Sequence, residues 1–122
     1  NFKKGIDSIK RANKYLKKGK LQKAKKKFNK AIKYLILANN DSPNNPNVLS
    51  NLGLAYTKVD DLIMAEIYLN QGLIINPKHN LINEQLGQLY LKTNRFDLSL
   101  EKLEVLKACN CEEYDRLKSI ID

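Results

Sequence analysis

Small residues recur in this chain as matched pairs, Ala12/Ala24, Gly53/Ala65 and Gly87/Ser99, each placed to face across two antiparallel helices. The clearest copy lies between Leu49 and Pro77, which holds Leu49, Leu52-Gly53, Tyr56, Ala65, Leu69 and Pro77. Gly53 and Ala65 let two helices approach closely. Tyr56 and Leu69 fill the space beside them, and Pro77 stops the second helix. A shift of 34 residues finds Asn83, Leu86-Gly87, Tyr90, Ser99 and Leu103, with Cys111 in the proline slot. In the other direction, Tyr15, Gly19, Ala24, Phe28 and Ala31 match Tyr56, Asp60, Ala65, Leu69 and Gly72 when seven residues are allowed as an insertion. Three units in register cover nearly the whole chain.

This spacing resembles the tetratricopeptide repeat (TPR), a helix–turn–helix of about 34 residues with the pattern W-x₂-L-G-x₂-Y…A-x₃-F…P. Leucines stand where the pattern has Trp and Phe. The resemblance implies an all-α, right-handed superhelical stack forming one domain over residues 1–122. Repeat 1 is expected over about 5–38 with an insertion at 39–45, repeat 2 over 46–79, repeat 3 over 80–113, and a capping helix over 112–122. Such folds bind partners and rarely catalyse, so a protein–protein interaction module or scaffold is implied.

A chain of 122 residues has room for one modest core. Stacked repeats share that core only with their neighbours, and three units sit near the minimum for independent stability. No apolar run approaches the roughly 18 residues of a membrane span. The chain opens on Asn1 rather than Met, so a processed N-terminus is expected. The net charge of +9 is unevenly placed. Residues 1–38 carry 14 Lys/Arg against Asp7 alone, a balance of +13; residues 39–122 carry 8 against 12 Asp/Glu, a balance of −4. Abundant Lys, Asn and Ile with scarce Arg suggest an AT-rich genome, which accounts for lysine over arginine but not for its clustering.

Helical spacing predicts a first helix over 1–18, with Ile6, Ile9, Ala12, Tyr15 and Leu16 on one face and Arg11 in a normally apolar slot. A second helix over 20–38 follows the turn at Gly19. Its Leu21, Ala24, Phe28, Ala31, Ile32 and Leu35 oppose Lys23, Lys26, Lys27, Lys30 and Lys33. Residues 39–45 read as a loop exposed to proteolysis. Further helices are expected over 46–58, 62–75, 80–92 and 96–109. In the tail, Tyr114, Leu117, Ile120 and Ile121 read as a covering face, with Glu112, Asp115, Arg116 and Lys118 turned to water.

No P-loop, GxGxxG, HExxH or Gly-x-Ser-x-Gly stretch is present, and His79 falls in a polar inter-repeat turn. An enzyme is not expected, nor a cofactor or a metal site. Cys109-Asn110-Cys111 admits three readings: buried small thiols at a helix end, a disulfide stapling the last repeat to the tail, or metal or redox work. Two cysteines fall short of the four ligands of a usual zinc site. A CxC disulfide requires a turn, since the Cβ vectors diverge in a regular helix. Cys-Asn-Cys-Glu-Glu-Tyr followed by Leu117-Lys118 and Ile120-Ile121 resembles the C-terminus of a group of small bacterial TPR proteins. Many of those are exported, so the resemblance favours the periplasm over the cytoplasm and an oxidised pair.

The run containing Lys23, Lys26, Lys27, Lys30 and Lys33 reads either as a solvated face or as a patch for an anionic polymer or membrane surface, bound weakly. It lacks the interleaved aromatics or arginines of a nucleic-acid reader, so no specific nucleic acid is expected. By TPR geometry the second helices line the outer surface and the first helices line the groove. The inward positions are then Asn13, Leu16 and Lys17; Asn47, Ser50, Asn51, Leu54, Thr57 and Lys58; and Leu81, Glu84, Gln85, Gln88, Leu91 and Lys92. TPR co-chaperones hold a C-terminal carboxylate with a clamp of two Lys, two Asn and one Arg. Asn13 and Asn51 match its asparagines, but Ile9, Leu81 and Gln85 replace its basic residues. What remains is an amide-rich groove edged by Lys17, Lys58 and Lys92, suited to an extended, acidic peptide. A structural subunit that self-associates through its repeat ends is the further alternative, and the oligomeric state stays open.

Overall fold

The computed structural model describes residues 1–122 throughout, as seven α-helices with no strand. In chain order these are α1 (Phe2–Lys17), α2 (Leu21–Asp41), α3 (Pro46–Lys58), α4 (Leu62–Ile75), α5 (Asn80–Lys92), α6 (Phe96–Leu106) and α7 (Glu112–Ile121). A 3₁₀ turn at Lys107–Cys109 separates the last two. Consecutive helices pair as hairpins, α1/α2, α3/α4 and α5/α6, and α7 lies against α5.

The three hairpin turns are built alike. Gly19, Asp60 and Asn94 hold positive φ of 71°, 63° and 61°. The next amide, of Lys20, Asp61 or Arg95, then donates back to the carbonyl of Tyr15, Tyr56 or Tyr90 at 2.9, 3.0 and 2.8 Å. This left-handed closure satisfies a carbonyl that the helix end leaves open. It recurs at the alignment that the side-chain pattern predicts.

The small pairs sit where helices touch. Ala12, Ala24, Ala65 and Ser99 are buried. A Cβ added to Gly53 would collide with the Leu69 side chain of α4. One added to Gly87 would stand 2.5 Å from Leu117 Cδ2, so this glycine admits the capping helix. Across the third pair, the Ser99 hydroxyl donates to the Gly87 carbonyl at 2.9 Å. Two apolar clusters result. One gathers Ile9, Phe28, Ile32, Leu35, Val48 and Leu52, and the other Ala65, Leu69, Ile82, Leu86, Leu89 and Tyr90. Tyr56 touches both and stacks on Tyr68, with ring centroids 5.7 Å apart.

The predicted loop over 39–45 is shorter than expected, because α2 continues to Asp41. At 21 residues against 14 in α4, it absorbs all seven extra residues as helix. Seven residues fall about 20° short of two full turns, so Ala38 still faces the core. The Asn1 side-chain amide donates to the Asp41 carboxylate at 3.2 Å, tying down the extended end. Asn45 then caps α3 by accepting from the Asn47 amide, with Pro46 in the first turn. At the other end, the helix predicted over 96–109 is α-helical only to Leu106.

Side chains tie the repeats together. Arg95 forks onto Glu66 at 3.0 and 2.5 Å and lies over the Tyr90 ring, 4.7 Å from its centroid. His79 accepts from the Ile82 amide through Nδ1 and so caps α5. The Asn83 amide donates to the carbonyls of Pro77 and His79, pinning the turn between α4 and α5.

Candidate functional site

The inner faces of α3 and α5 form a groove of two joined depressions. The first, about 280 Å³, has Ser50, Asn51 and Leu54 on one wall and Leu81, Glu84, Gln85 and Gln88 on the other, with Arg116 of α7 at its end. The second, about 140 Å³, shares Leu54, Gln85 and Gln88 and adds Thr57, Lys58, Leu89 and Lys92. Its walls combine amides, short apolar patches and two lysines.

Part of this polar lining is already engaged. The Ser50 hydroxyl donates to Gln85 Oε1 at 2.8 Å, and Gln85 Nε2 returns to the Ser50 carbonyl at 3.0 Å. That closed pair clasps α3 to α5. Glu84 is only 4% exposed. Its carboxylate accepts from Arg116 Nε at 2.9 Å, Arg116 Nη2 at 2.8 Å and Gln88 Nε2 at 2.8 Å. Ser50, Glu84 and Gln85, expected as groove contacts, therefore shape the floor.

Arg116 faces water as expected, but only in part. Half-exposed, it reaches back from α7 and closes the groove end with its guanidinium. Its pKa is raised, first by the hydrogen bonds to Glu84 and then by that carboxylate's charge. Sequence reasoning missed it because the helical pattern assigns a face and not the direction of a long side chain. The usable signal was the need of a carboxylate at an inward position for a counter-ion.

The groups left for a ligand are fewer and more specific than the sequence implies. Asn51 Nδ2 donates within its own helix to the Asn47 carbonyl at 2.8 Å, leaving Oδ1 as an acceptor. Gln88, with Nε2 on Glu84, likewise keeps Oε1. Lys58 and Lys92 are exposed, and neither belongs to any of the three ion pairs of the chain. Asn13, Lys17 and Asn47 line neither depression. Asn13 is half-buried on α1, and Lys17 is exposed at the end of that helix. Ile9, at a clamp position, is buried in the first cluster.

Outside the groove, Lys26, Lys30 and Lys33 border a shallow hollow of about 570 Å³ on α2, with Asn29, Tyr34 and Leu37. Lys23 is exposed along the same helix, and its ammonium lies 5.8 Å from the Tyr15 ring centroid. Lys27 is half-buried. Cys109 and Cys111 are half-buried and joined as a disulfide, their Cα atoms 5.2 Å apart across Asn110, whose φ of 52° supplies the turn. Neither cysteine is a buried free thiol. Nowhere do three or more His, Cys, Asp or Glu converge as a metal site would need.

A family model for the tetratricopeptide repeat matches residues 46–79, which are the α3/α4 unit and the turn after it. The α3/α4 unit is thus a tetratricopeptide repeat, and the chain as a whole has the fold of TPR domains. Among solved structures, the first TPR domain of Spaghetti (RPAP3), bound to the HSP90 peptide SRMEEVD, superposes with a TM-score of 0.63. It is 22% identical, over 98% of this chain and 92% of that one. The TPR2B domain of yeast Sti1, in complex with an Hsp70 peptide, gives 0.64 at 15% identity over 97% and 93%. The second TPR domain of human RPAP3, in complex with the HSP70 peptide SGPTIEEVD, gives 0.60 at 18% over 97% and 94%. No curated protein sequence matches the chain.

Proposed function

We propose that this protein is an interaction module that holds an extended, acidic peptide segment in the groove between α3 and α5. The observation that carries the reading is the pairing of unengaged groups there. The free amide oxygens of Asn51 and Gln88 lie along the same joined depressions as Lys58 and Lys92. Amide acceptors at that depth take main-chain N–H groups without demanding particular side chains, and the lysines select for carboxylates. Three domains of like fold hold peptides carrying the sequence EEVD or an Hsp70 peptide, which supports the class of ligand. Because Ile9, Leu81 and Gln85 occupy the basic positions of the carboxylate clamp, recognition here falls on acidic side chains more than on a free C-terminus.

The test is a screen of an acidic-peptide library against the parent and the Asn51→Ala/Lys58→Glu variant. Lys58 is exposed, and Asn51 is half-buried with its one hydrogen bond inside its own helix, so both proteins should fold. Losing one hydrogen-bonding group and reversing one charge should weaken selected peptides about tenfold. Amidating the peptide C-terminus should change little. Peptides that bind both proteins equally would place the binding surface elsewhere.

A further inference from the structure

The second helices of the repeats carry an ordered change of character on their outer side. With Ala24 aligned to Ala65, the α2 positions Lys26, Lys30 and Lys33 correspond to Ile67, Gln71 and Ile74 on α4. All six side chains are exposed. Ile74 is 81% exposed, and Ile63, one turn before Ile67, is 77% exposed. Both are second helices of successive hairpins, and Tyr68 of α4 packs against the cluster that holds Phe28 and Leu35 of α2. None of the lysines has a carboxylate within ion-pair distance, because every ion pair of the chain involves Arg95 or Arg116. The basic half of α2, about 15 Å from Lys23 to Lys33, therefore has as its counterpart in the next hairpin a helix with two bare isoleucines and Gln71 at the matching positions.

We infer that this α2/α4 face docks peripherally on an anionic lipid bilayer, with the α2 lysines at the headgroups and Ile63, Ile67 and Ile74 in the acyl boundary. Charge complementarity selects the occupant: Lys23, Lys26, Lys30 and Lys33 stand exposed along α2 with no ion-pair partner, a row that calls for a dense, extended array of negative charge. The adjoining isoleucines select a bilayer over a soluble polyanion, which offers them nothing to enter. Lysine suits this role, since its stem lies along apolar surface while its ammonium stays hydrated. No helix is long and apolar enough to cross a membrane, and surface attachment needs none. The groove, formed by the first helices, would stay open for peptide.

The experiment is vesicle co-sedimentation of the full chain, with phosphatidylcholine vesicles and with vesicles also containing phosphatidylglycerol. Low and physiological salt are compared, and circular dichroism checks each variant's fold. The parent should sediment only with the anionic vesicles. Lys26→Glu/Lys30→Glu/Lys33→Glu should lose tenfold or more in affinity, at roughly a factor of five per lysine near the surface. Ile67→Asn/Ile74→Asn should retain heparin binding yet lose the vesicle binding that survives physiological salt, where lysines alone are screened beyond about 8 Å. Four results would overturn the inference. These are no vesicle binding, unchanged binding by the lysine variant, equal loss of heparin and vesicle binding in the isoleucine variant, and a concentration-dependent mass that the isoleucine variant abolishes.

Discussion

Arg116 donates two hydrogen bonds to the Glu84 carboxylate, at 2.9 and 2.8 Å, and thereby joins the capping helix to the floor of the groove. The two partners differ in environment, Glu84 being 4% exposed and Arg116 half-exposed. Removing the arginine leaves a buried carboxylate with Gln88 as its one remaining donor. A buried charge that loses its partner costs more than an exposed pair ever contributes. Arg116→Ala should therefore lower the urea midpoint clearly, whereas Glu112→Ala, at the exposed i,i+4 end of the same arginine, should not. Restoring neutrality with Glu84→Gln in the Arg116→Ala background should recover part of the loss. Equal midpoints for the two single variants would mean that the fork does not hold the cap.

Gly53→Leu should unfold the protein or come close to it. Its side chain would enter space that Leu69 occupies, and overpacking of this kind costs about 1–3 kcal/mol. That is a large share of the stability of a small repeat protein. Thermal melts of parent and variant would coincide only if α3 and α4 did not touch at this position.

The repeat was legible because it is written twice over, in the small pairs and in the turn residues. Gly19, Asp60 and Asn94 are types that accept positive φ, and the structure uses all three so. Helices α3, α4 and α5 run as predicted, since Pro46, Asp61 and Pro77 punctuate them. The end of α2 was not legible. Asn39-Asn40-Asp41 has loop composition, but burial of Ala38 and the Asn1–Asp41 contact override weak local propensity. In the groove, the α3 and α5 positions that line the two depressions followed from helical phase, whereas Asn47 and Leu91 line neither. Which of them were already spent on each other, as Ser50 is on Gln85, depends on distances between helices that no single helix encodes.

Alkaline pH should destabilise the fold through its tyrosines. Tyr56 and Tyr90 both have pKa values raised above the ordinary 10.0, chiefly by burial; Tyr68 adds to the first and Glu66 to the second. A folded state that holds the phenolic proton more tightly gains stability fully present below the unfolded value and lost as pH rises through the folded one. Urea midpoints should fall as pH rises past about 10. Tyr90→Phe, which has no proton to lose, should fall less over that range. An equal fall would assign the effect to other groups.

The cysteine pair is open to a chemical test. Protein purified without reductant should take up no thiol label, and after reduction it should take up two, read as intact mass. Asn110 stands at positive φ between the cysteines, so Asn110→Gly should preserve the bridge, while a β-branched Asn110→Val should disfavour it. Two labels on unreduced protein from an oxidising compartment would contradict the staple.

The most direct measurement is the map of amide chemical-shift changes when an acidic peptide selected from the library is titrated into the isotopically labelled protein. The groove account predicts that the largest changes fall on α3 and α5, at Asn51, Leu54, Lys58, Gln88 and Lys92, with smaller changes at Arg116 and almost none on α4. Changes concentrated on Lys23, Lys26, Lys30 and Lys33 of α2, with α3 and α5 silent, would contradict it.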